Sequence, residues 1–231
     1  LVIMLVSIML ISIFFIFKDK KEEYKQERIF EEITNVVSEK ESKEEKEVDI
    51  AKLYTINNDI VGWIKVDKTN INYPIMQTKD RPNFYLRKNF YKEYSILGTP
   101  YLEENCNIET SDNLIIYGHN INGGKMFGEL ENYKKEKYYK SHQNINFYTV
   151  HGKEEYEIIF VFKTVAYKGF EYYKFCNANN EREFNTFIRN CKELSFYNTN
   201  KTAKYGDRLI TLSTCEYSNR DGRLVIVARK K

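Results

Sequence analysis

The sequence lacks an excess of one charge, a cysteine pair spaced for zinc, and any internal repeat. Its formal net charge is only +3, and acidic and basic residues are interspersed. This pattern argues against a dedicated nucleic-acid-binding protein, which would cluster Lys and Arg on one face. The 4 cysteines form no CxxC pair and no Cys/His spacing that suits a zinc ion. The length of 231 residues fits one globular domain with additional segments.

Proline and glycine are scarce, whereas aromatic residues are abundant. The chain contains 3 prolines and 10 glycines against 19 tyrosines and 15 phenylalanines. Aromatic and β-branched residues favour sheet. Many short apolar runs, such as IVGWIKV at 60–66 and NLIIYGHN at 113–120, are separated by turn signals. The pattern predicts a mostly β fold, a closed antiparallel β-barrel with peripheral helices.

The N-terminal segment predicts a membrane anchor. Residues 1–17 carry no charge, and seventeen residues is at the short end of what spans a bilayer as a helix. No small-residue cleavage site follows, which favours an uncleaved anchor over a removed signal peptide. Lys18, Lys20 and Lys21 follow the apolar run, and charge counting alone would place that flank in the cytoplasm.

Residues 18–47 are almost entirely charged or polar and carry a thin apolar stripe at helical spacing. The stripe consists of Ile29, Phe30, Ile33, Val36 and Val37. We interpret the segment as a solvated helical spacer that holds the domain away from the membrane, with a partner-binding helix as the alternative. The globular domain is then expected to span residues 48–231.

The end of the chain predicts a β-hairpin with a reactive thiol. The apolar run LITLSTC stops at Cys215, a short polar turn follows, and a second apolar run begins at Arg223. In a hairpin, the last residue of one strand and the first residue of the next lie at the same end. The thiol therefore lies near a permanent cation, which favours the reactive thiolate.

A cysteine nucleophile usually works with a histidine, and the chain has three. His142 and His151 lie in polar sequence, and both are expected to face solvent. His119 ends an apolar strand-like run and precedes a flexible Asn-Gly-Gly loop, a natural position for a site residue. His119 is therefore the candidate acid/base partner of Cys215.

The other three cysteines are expected to be structural or incidental. Cys191 lies in the amphipathic segment 180–194, where it is expected to act as a small buried hydrophobe. Cys106 and Cys176 lie in polar, loop-like sequence, and nothing in their spacing supports a disulfide.

Three of these segments together resemble the sortases. They are YGHN at 117–120, TLSTC at 211–215, and the arginine that begins the next strand. The segment 61–77 and the run GTPYLE also resemble early barrel strands of that family. The intervening helix near 180–194 and the helices before the barrel resemble class B, and no Asp-Pro-Trp-like lid of the pilus-assembling class is present.

The resemblance implies a membrane-anchored enzyme outside the cell that cleaves a C-terminal sorting motif of secreted proteins after its threonine. A thioester forms on Cys215, His119 acts as acid/base, and Arg223 stabilises the oxyanion. The protein is then transferred to an amine of the peptidoglycan precursor, without a metal or organic cofactor. The motif implied by the class is an Asn-Pro-x-Thr-like pentapeptide. We expect the catalytic domain on the extracellular face of a single-pass membrane protein, although the count of lysines alone would place it in the cytoplasm.

A second set of residues is carried over from the same motifs as a candidate substrate-binding lining. It consists of Tyr117, Ser213, Thr214 and Glu216. The segment KGFEYYKF at 168–175 is expected to form one wall of the groove.

Three alternatives remain at this point. A papain-like hydrolase is disfavoured, because it places its nucleophile on a helix ahead of the histidine, whereas here histidine, cysteine and arginine follow in that order. A membrane-tethered cysteine peptidase that mainly hydrolyses its substrate is the second. A non-catalytic extracellular barrel that only binds peptides is the third, and it predicts that Cys215→Ala leaves all function intact.

Overall fold

The computed structural model describes residues 2–38 and 48–231, and eight strands form a closed barrel at its centre. The strands are β1 (Ile60–Val66), β2 (Asn72–Met76), β3 (Tyr101–Leu102), β4 (Asn113–Tyr117), β5 (Asn144–Thr149), β6 (Gly152–Val165), β7 (Leu209–Glu216) and β8 (Gly222–Lys230). Around the barrel the order is β1-β2-β3-β4-β7-β8-β6-β5. The helices are α1 (Val2–Ser38), α2 (Ile50–Ile56), α3 (Glu136–Ser141) and α4 (Glu181–Leu194), with short 3-10 turns between strands. The predicted closed barrel with peripheral helices is confirmed.

The barrel is antiparallel for the most part, as expected, but two neighbouring strand pairs are parallel. β4 runs parallel to β7 up to the pair Tyr117–Ser213, and β2 meets β3 in parallel at Met76–Tyr101. Neither pair is joined by a tight turn. Between β4 and β7 the chain builds β5, β6 and α4 before it returns, and such a long crossover lets two adjacent strands point the same way.

Helix α1 continues without a break from the apolar segment onto the barrel. Ile29, Phe30 and Ile33 are buried, and the ring of Phe30 packs edge-on against Tyr73 at 5.1 Å. Gln26 Nε2 donates a hydrogen bond of 3.2 Å to the carbonyl of Gly98. The expected solvated spacer is therefore a docked helix along this stretch, since its apolar stripe matches an apolar patch of the same chain.

Charges reinforce this contact on both sides of the stripe. Lys125 Nζ lies 2.7 Å from a carboxylate oxygen of Glu23 and 2.6 Å from one of Glu27, and Lys25 pairs with Glu93 at 2.9 Å. The side chains of residues 36 and 37, and all of 39–47, lie outside the described part of the chain, so the end of the predicted spacer stays a prediction.

The first half of α1 has a membrane-like composition. An 18-residue window of this helix has a mean hydropathy of 2.3, and none of it is buried against the protein. By length and composition it is long and apolar enough to cross a membrane, a property that a signal sequence shares.

Helix α4 covers the barrel next to β6. Phe184, Phe187, Ile188 and Cys191 are buried as the helical spacing predicts, and Phe187 stacks on a phenylalanine of the preceding loop. Leu194, also placed on this stripe by the periodicity, is the last residue of the helix and is 41% exposed.

Candidate active site

Strand register brings the three candidate catalytic residues to one edge of the barrel. β4 and β7 run side by side and pair Tyr117 with Ser213, so His119 and Cys215 both lie two residues beyond the same rung. β7 and β8 are antiparallel, and their register places Arg223 directly opposite Cys215. The predicted juxtaposition of Cys215 and Arg223 across the hairpin is confirmed, and the parallel pair β4–β7 brings His119 to the same edge.

Two glycines allow the chain to approach closely just before His119 and Arg223. A Cβ on Gly118 would lie 2.6 Å from the ring of Phe127, and one on Gly222 would lie 2.3 Å from the carbonyl oxygen of Glu216. Both distances are shorter than side-chain carbons tolerate. Each glycine therefore allows the backbone to pack tightly immediately before a site residue.

A cleft of about 920 Å³ opens at this edge. Of the predicted site residues, those that line it are Tyr117, His119, Ser213, Thr214, Cys215 and Arg223. The predicted groove wall at 168–175 contributes Tyr172, Tyr173 and Lys174, so that prediction is confirmed. Neither His142 nor His151 is part of the lining. His151 instead pairs with Glu109 on the surface at 2.9 Å.

His119 is held by a backbone carbonyl rather than by a carboxylate. Its Nε2 lies 2.8 Å from the carbonyl oxygen of Leu86. Because a carbonyl only accepts, Nε2 carries the hydrogen, and Nδ1 is the nitrogen that gains or loses a proton. Burial lowers the pKa of His119, the bond to Leu86 raises it, and the positive charge of Arg87 lowers it further, so the net direction is downward.

The guanidinium of Arg223 is largely free to bind a ligand. Its Nη1 donates to the carbonyl of Gly222 at 2.9 Å, and its other N–H groups make no hydrogen bond to any described residue. Arg223 and Cys215 are both half-buried. In the described chain no hydrogen bond joins the Cys215 sulfur to His119 or Arg223. His119, Cys215 and Arg223 all line the cleft, so a reacting carbonyl could lie among them.

The residues that precede the thiol on β7 are fixed by hydrogen bonds. Ser213 Oγ lies 2.5 Å from the hydroxyl of Tyr172, which joins the strand to the cleft wall. Thr214 Oγ1 donates to the carbonyl of Gly118 at 2.8 Å, which joins β7 to the segment that bears the histidine. Burial raises the pKa of Tyr172 to about 12, so its hydroxyl stays neutral and able to donate.

Tyr117 faces the cleft and binds a buried carboxyl group. Its hydroxyl donates to Glu103 Oε2 at 2.6 Å, and its ring packs against Tyr101 at 5.4 Å. Burial, followed by the hydrogen bond to Glu103 and then by the charge of Glu103, raises the pKa of Tyr117 well above its usual range. Burial also raises the pKa of Glu103. This pair gives one end of the cleft an acidic, aromatic character.

Glu216 follows the thiol but does not line the cleft. Its carboxylate lies 2.6 Å from Lys134 Nζ and accepts hydrogen bonds from the backbone and hydroxyl of Ser218. Burial opposes its ionisation, but these partners hold the pKa of Glu216 below its usual value. The side chain of this candidate binding residue thus contacts Lys134 and Ser218 instead of the cleft.

Two residues outside the predicted site support it through non-local contacts. Asn120 Nδ2 donates to the carbonyl of Cys215 at 2.7 Å and to Glu131 at 3.2 Å. Leu86, in the short 3-10 helix Phe84–Arg87 that follows β2, supplies the carbonyl that binds His119. Asn120 adjoins the histidine in the YGHN motif and could have been suspected, whereas nothing in the local sequence singles out Leu86.

The same chain is similar to known proteins over nearly its whole length. A family model, described as Sortase domain, matches residues 64–231. Sortase B of Staphylococcus aureus is 30% identical over 97% of this chain and 95% of its own length.

Solved structures agree with this likeness. A Staphylococcus aureus sortase B–substrate complex has a TM-score of 0.79 at 30% identity, and the match covers 93% of this chain and 98% of that one. A crystal structure of sortase B complexed with triglycine has a TM-score of 0.78 at 30% identity and covers 92% and 98%. The chain therefore belongs to the sortase family as a class B sortase, a cysteine transpeptidase of cell-wall sorting.

Proposed function

We propose that this sortase cleaves a C-terminal sorting motif after its threonine through a thioester on Cys215, and transfers the acyl group to a peptidoglycan amine. In this proposal His119 is the acid/base and Arg223 binds the oxyanion. The observation that carries it is the strand register, which brings the three side chains to one edge beside an open cleft.

In the first step the Cys215 thiolate attacks the threonine carbonyl, and negative charge develops on its oxygen. A donor that is already in place stabilises this charge without reorganisation. The unpaired N–H groups of Arg223 supply such a donor, and a guanidinium remains charged at any relevant pH. The anchoring of Arg223 to Gly222 restricts its movement during the reaction.

In the second step the peptide nitrogen leaves and needs a proton. Protonated His119 can provide it from Nδ1, since Nε2 is committed to Leu86. The lowered pKa of His119 makes its imidazolium a stronger acid than an ordinary histidine. Once neutral, the same nitrogen can accept a proton from the incoming amine.

An amine then attacks the thioester, and water is its competitor. The sortase B complex with triglycine supports a glycine-like amine as a nucleophile of this class. Tyr117, Ser213 and Thr214 are proposed to contact the motif, since all three line the cleft. Glu216 is proposed to act on the motif only indirectly, through the hairpin turn that Lys134 and Ser218 hold.

Residues 1–17 are proposed to anchor the enzyme in the cell membrane, with the catalytic domain on the extracellular face. The apolar, unburied first half of α1 supports the anchor. The outer location is supported by the substrate, because the cell wall is assembled outside the membrane.

The decisive experiment is intact-mass spectrometry of the purified chain with Asn-Pro-x-Thr-type peptides. We expect an acyl adduct on the wild-type protein and none on Cys215→Ala, while Cys191→Ala, which changes a thiol outside the cleft, keeps the adduct. Added triglycine should convert the adduct to a peptide–triglycine product. Release of the free acid alone in the presence of triglycine would indicate a hydrolase, and an adduct on Cys215→Ala would reject the nucleophile.

The location has a separate test in intact cells. A membrane-impermeant maleimide should label Cys215 from outside, and prior addition of sorting peptide should reduce the labelling. Labelling that requires permeabilised cells would contradict the proposed orientation.

A further inference from the structure

Two cysteines far apart in the sequence meet beneath the cleft. Cys106 lies in the loop after β3, and Cys176 lies between β6 and α4, 70 residues further along the chain. Their sulfur atoms are 3.1 Å apart, and the Cys106 thiol donates to the Cys176 sulfur. Cys106 is fully buried, whereas Cys176 is 6% exposed and lines the cleft.

The backbone around both cysteines is tied to the barrel, so their proximity does not depend on side-chain packing alone. Asn113, the first residue of β4, donates its N–H to the carbonyl of Cys176 at 3.0 Å, and its own carbonyl lies 3.2 Å from the Cys106 sulfur. Gln77 Nε2 donates to the carbonyl of Cys106 at 2.8 Å. The segments that carry Cys106 and Cys176 are thereby both held at the beginning of β4.

We propose that Cys106 and Cys176 form a disulfide that ties the cleft wall to the loop after β3. A disulfide bond is about 2.05 Å long, so the sulfur atoms need to approach by roughly 1 Å from their present separation. This inference goes beyond the transpeptidase reaction, in which neither cysteine takes part.

The oxidant is a small external disulfide, R–S–S–R, that reaches Cys176 from the cleft. The Cys176 thiolate attacks one of its sulfurs, a mixed disulfide forms, and the first RS⁻ leaves. Cys106 then loses its proton and attacks the Cys176 sulfur, which expels the second RS⁻. Two protein thiols are oxidised to one disulfide, and the external disulfide is reduced to two thiols.

Electrostatics at the pair agree with this order. The hydrogen bond from Cys106 lowers the pKa of Cys176, although burial opposes the shift. The same bond, together with burial, raises the pKa of Cys106. Cys176 is therefore the thiol that ionises first, and it is also the one with access to the cleft.

The bond would stiffen the wall that carries Tyr172, which contacts Ser213 on β7. Disulfides persist outside the cytoplasm, so the persistence of this bond in the cell rests on the proposed extracellular location. The sulfur geometry does not rest on it, and neither does a test on purified protein.

The test uses the full chain in detergent micelles, equilibrated with oxidised or reduced glutathione, alkylated and mapped by mass spectrometry. We expect a Cys106–Cys176 linked peptide after oxidation, and both thiols alkylated after reduction. Cys191 should stay unlinked in both states. Free Cys106 and Cys176 after oxidation, or a link from either to another cysteine, would overturn the proposal. Failure of the transpeptidase assay would leave this map unaffected.

Thermal unfolding provides a second measurement. Reduction should lower the Tm of the wild-type protein and of Cys191→Ala by roughly 5–15 °C, because the bond closes a long loop. The Tm of the Cys106→Ala/Cys176→Ala variant should not respond to reduction. An equal response of this variant would assign the effect to another thiol and contradict the proposal. If the variant does not fold, the peptide map on the wild-type chain decides.

Discussion

Cys215 and Arg223 face each other as direct partners across the β7–β8 ladder. Directly opposite residues of an antiparallel pair have Cβ atoms about 4.5–5.5 Å apart. The proximity of these two residues is thus set by hairpin register, which is local and is reinforced along both strands. His119 reaches the same place by a different route, from a strand parallel to β7.

The first prediction concerns Arg223. Replacement by Ala should lower kcat/KM for peptide cleavage by about 100- to 1000-fold, as the loss of an oxyanion donor typically does. The kcat/KM of Arg223→Lys should lie between the values of the wild type and of Arg223→Ala, because lysine keeps the charge but lacks the planar guanidinium. Arg220→Ala is the matched control, since this arginine is 97% exposed in the same hairpin turn. Equal activity of Arg223→Ala and wild type would remove the proposed role.

The second prediction concerns pH. If protonated His119 supplies the proton for acylation, the rate falls as pH rises through its pKa. The positive charge of Arg87 lowers that pKa, so Arg87→Gln should raise it and move the alkaline limb of kcat/KM to higher pH. The shift should be less than about one pH unit and should shrink at high salt, since Arg87 is exposed and its charge is screened. Arg220→Gln is the reference variant and should leave the alkaline limb of kcat/KM in place. If Arg87→Gln also leaves it in place, His119 is not the titrating acid.

The third prediction concerns Asn120, proposed as a positioning residue. Asn120→Ala removes the hydrogen bond to the Cys215 carbonyl and should lower kcat about 2- to 10-fold with little change in KM. Asn120→Asp should lower kcat further, because its carboxylate would face the Cys215 carbonyl and Glu131. Steady-state kinetics with Asn219→Ala as an exposed control in the hairpin turn tests this. A change confined to KM would indicate a substrate contact instead.

The fourth prediction concerns Gly118. A methyl group there would meet the Phe127 ring at 2.6 Å, so Gly118→Ala should destabilise the fold by about 1–3 kcal/mol and lower activity through displacement of His119. Phe127→Leu provides the compensating change. The double variant should be less destabilised in urea unfolding than the sum of the single variants. Strict additivity would mean that this contact is not the reason for the glycine.

The fifth prediction concerns the docked part of α1. Ile33 is 1% exposed, and Ile33→Ala should reduce the free energy of unfolding by about 2–5 kcal/mol. The neighbouring Glu31 is exposed, and Glu31→Ala should change it by no more than about 0.5 kcal/mol. The comparison is made by urea unfolding of the full chain in micelles. Equal stability of the two variants would show that the helix does not dock in solution.

Local patterns in the sequence predicted much of the barrel. β1 follows the run at 60–66 that the alternation indicates, and the closing hairpin juxtaposes Cys215 and Arg223 as its turn requires. The strand expected from the run GTPYLE at 98–103 is shorter than predicted, because only Tyr101–Leu102 pair as β3. Strand-like composition does not reveal how many residues find a partner.

Non-local relationships could not be derived from the pattern of residues. The parallel pairing of β4 and β7, which brings His119 to the thiol, depends on a crossover of about ninety residues whose return path has no local signal. The contacts of Leu86 with His119 and of Cys106 with Cys176 depend in the same way on loops that fold onto the barrel. Only the resemblance to a family anticipated the convergence of the three catalytic candidates.

The unbroken helix α1 has a geometric consequence for the enzyme. If residues 1–17 lie in a bilayer, only residues 18–22 separate that bilayer from Glu23, which forms an ion pair with Lys125 of the globular domain. At the rise of an α-helix this is about 8 Å of clearance. The mouth of the cleft would then keep a fixed distance from the lipid surface and a fixed orientation relative to it. Substrates would have to reach the cleft at that distance.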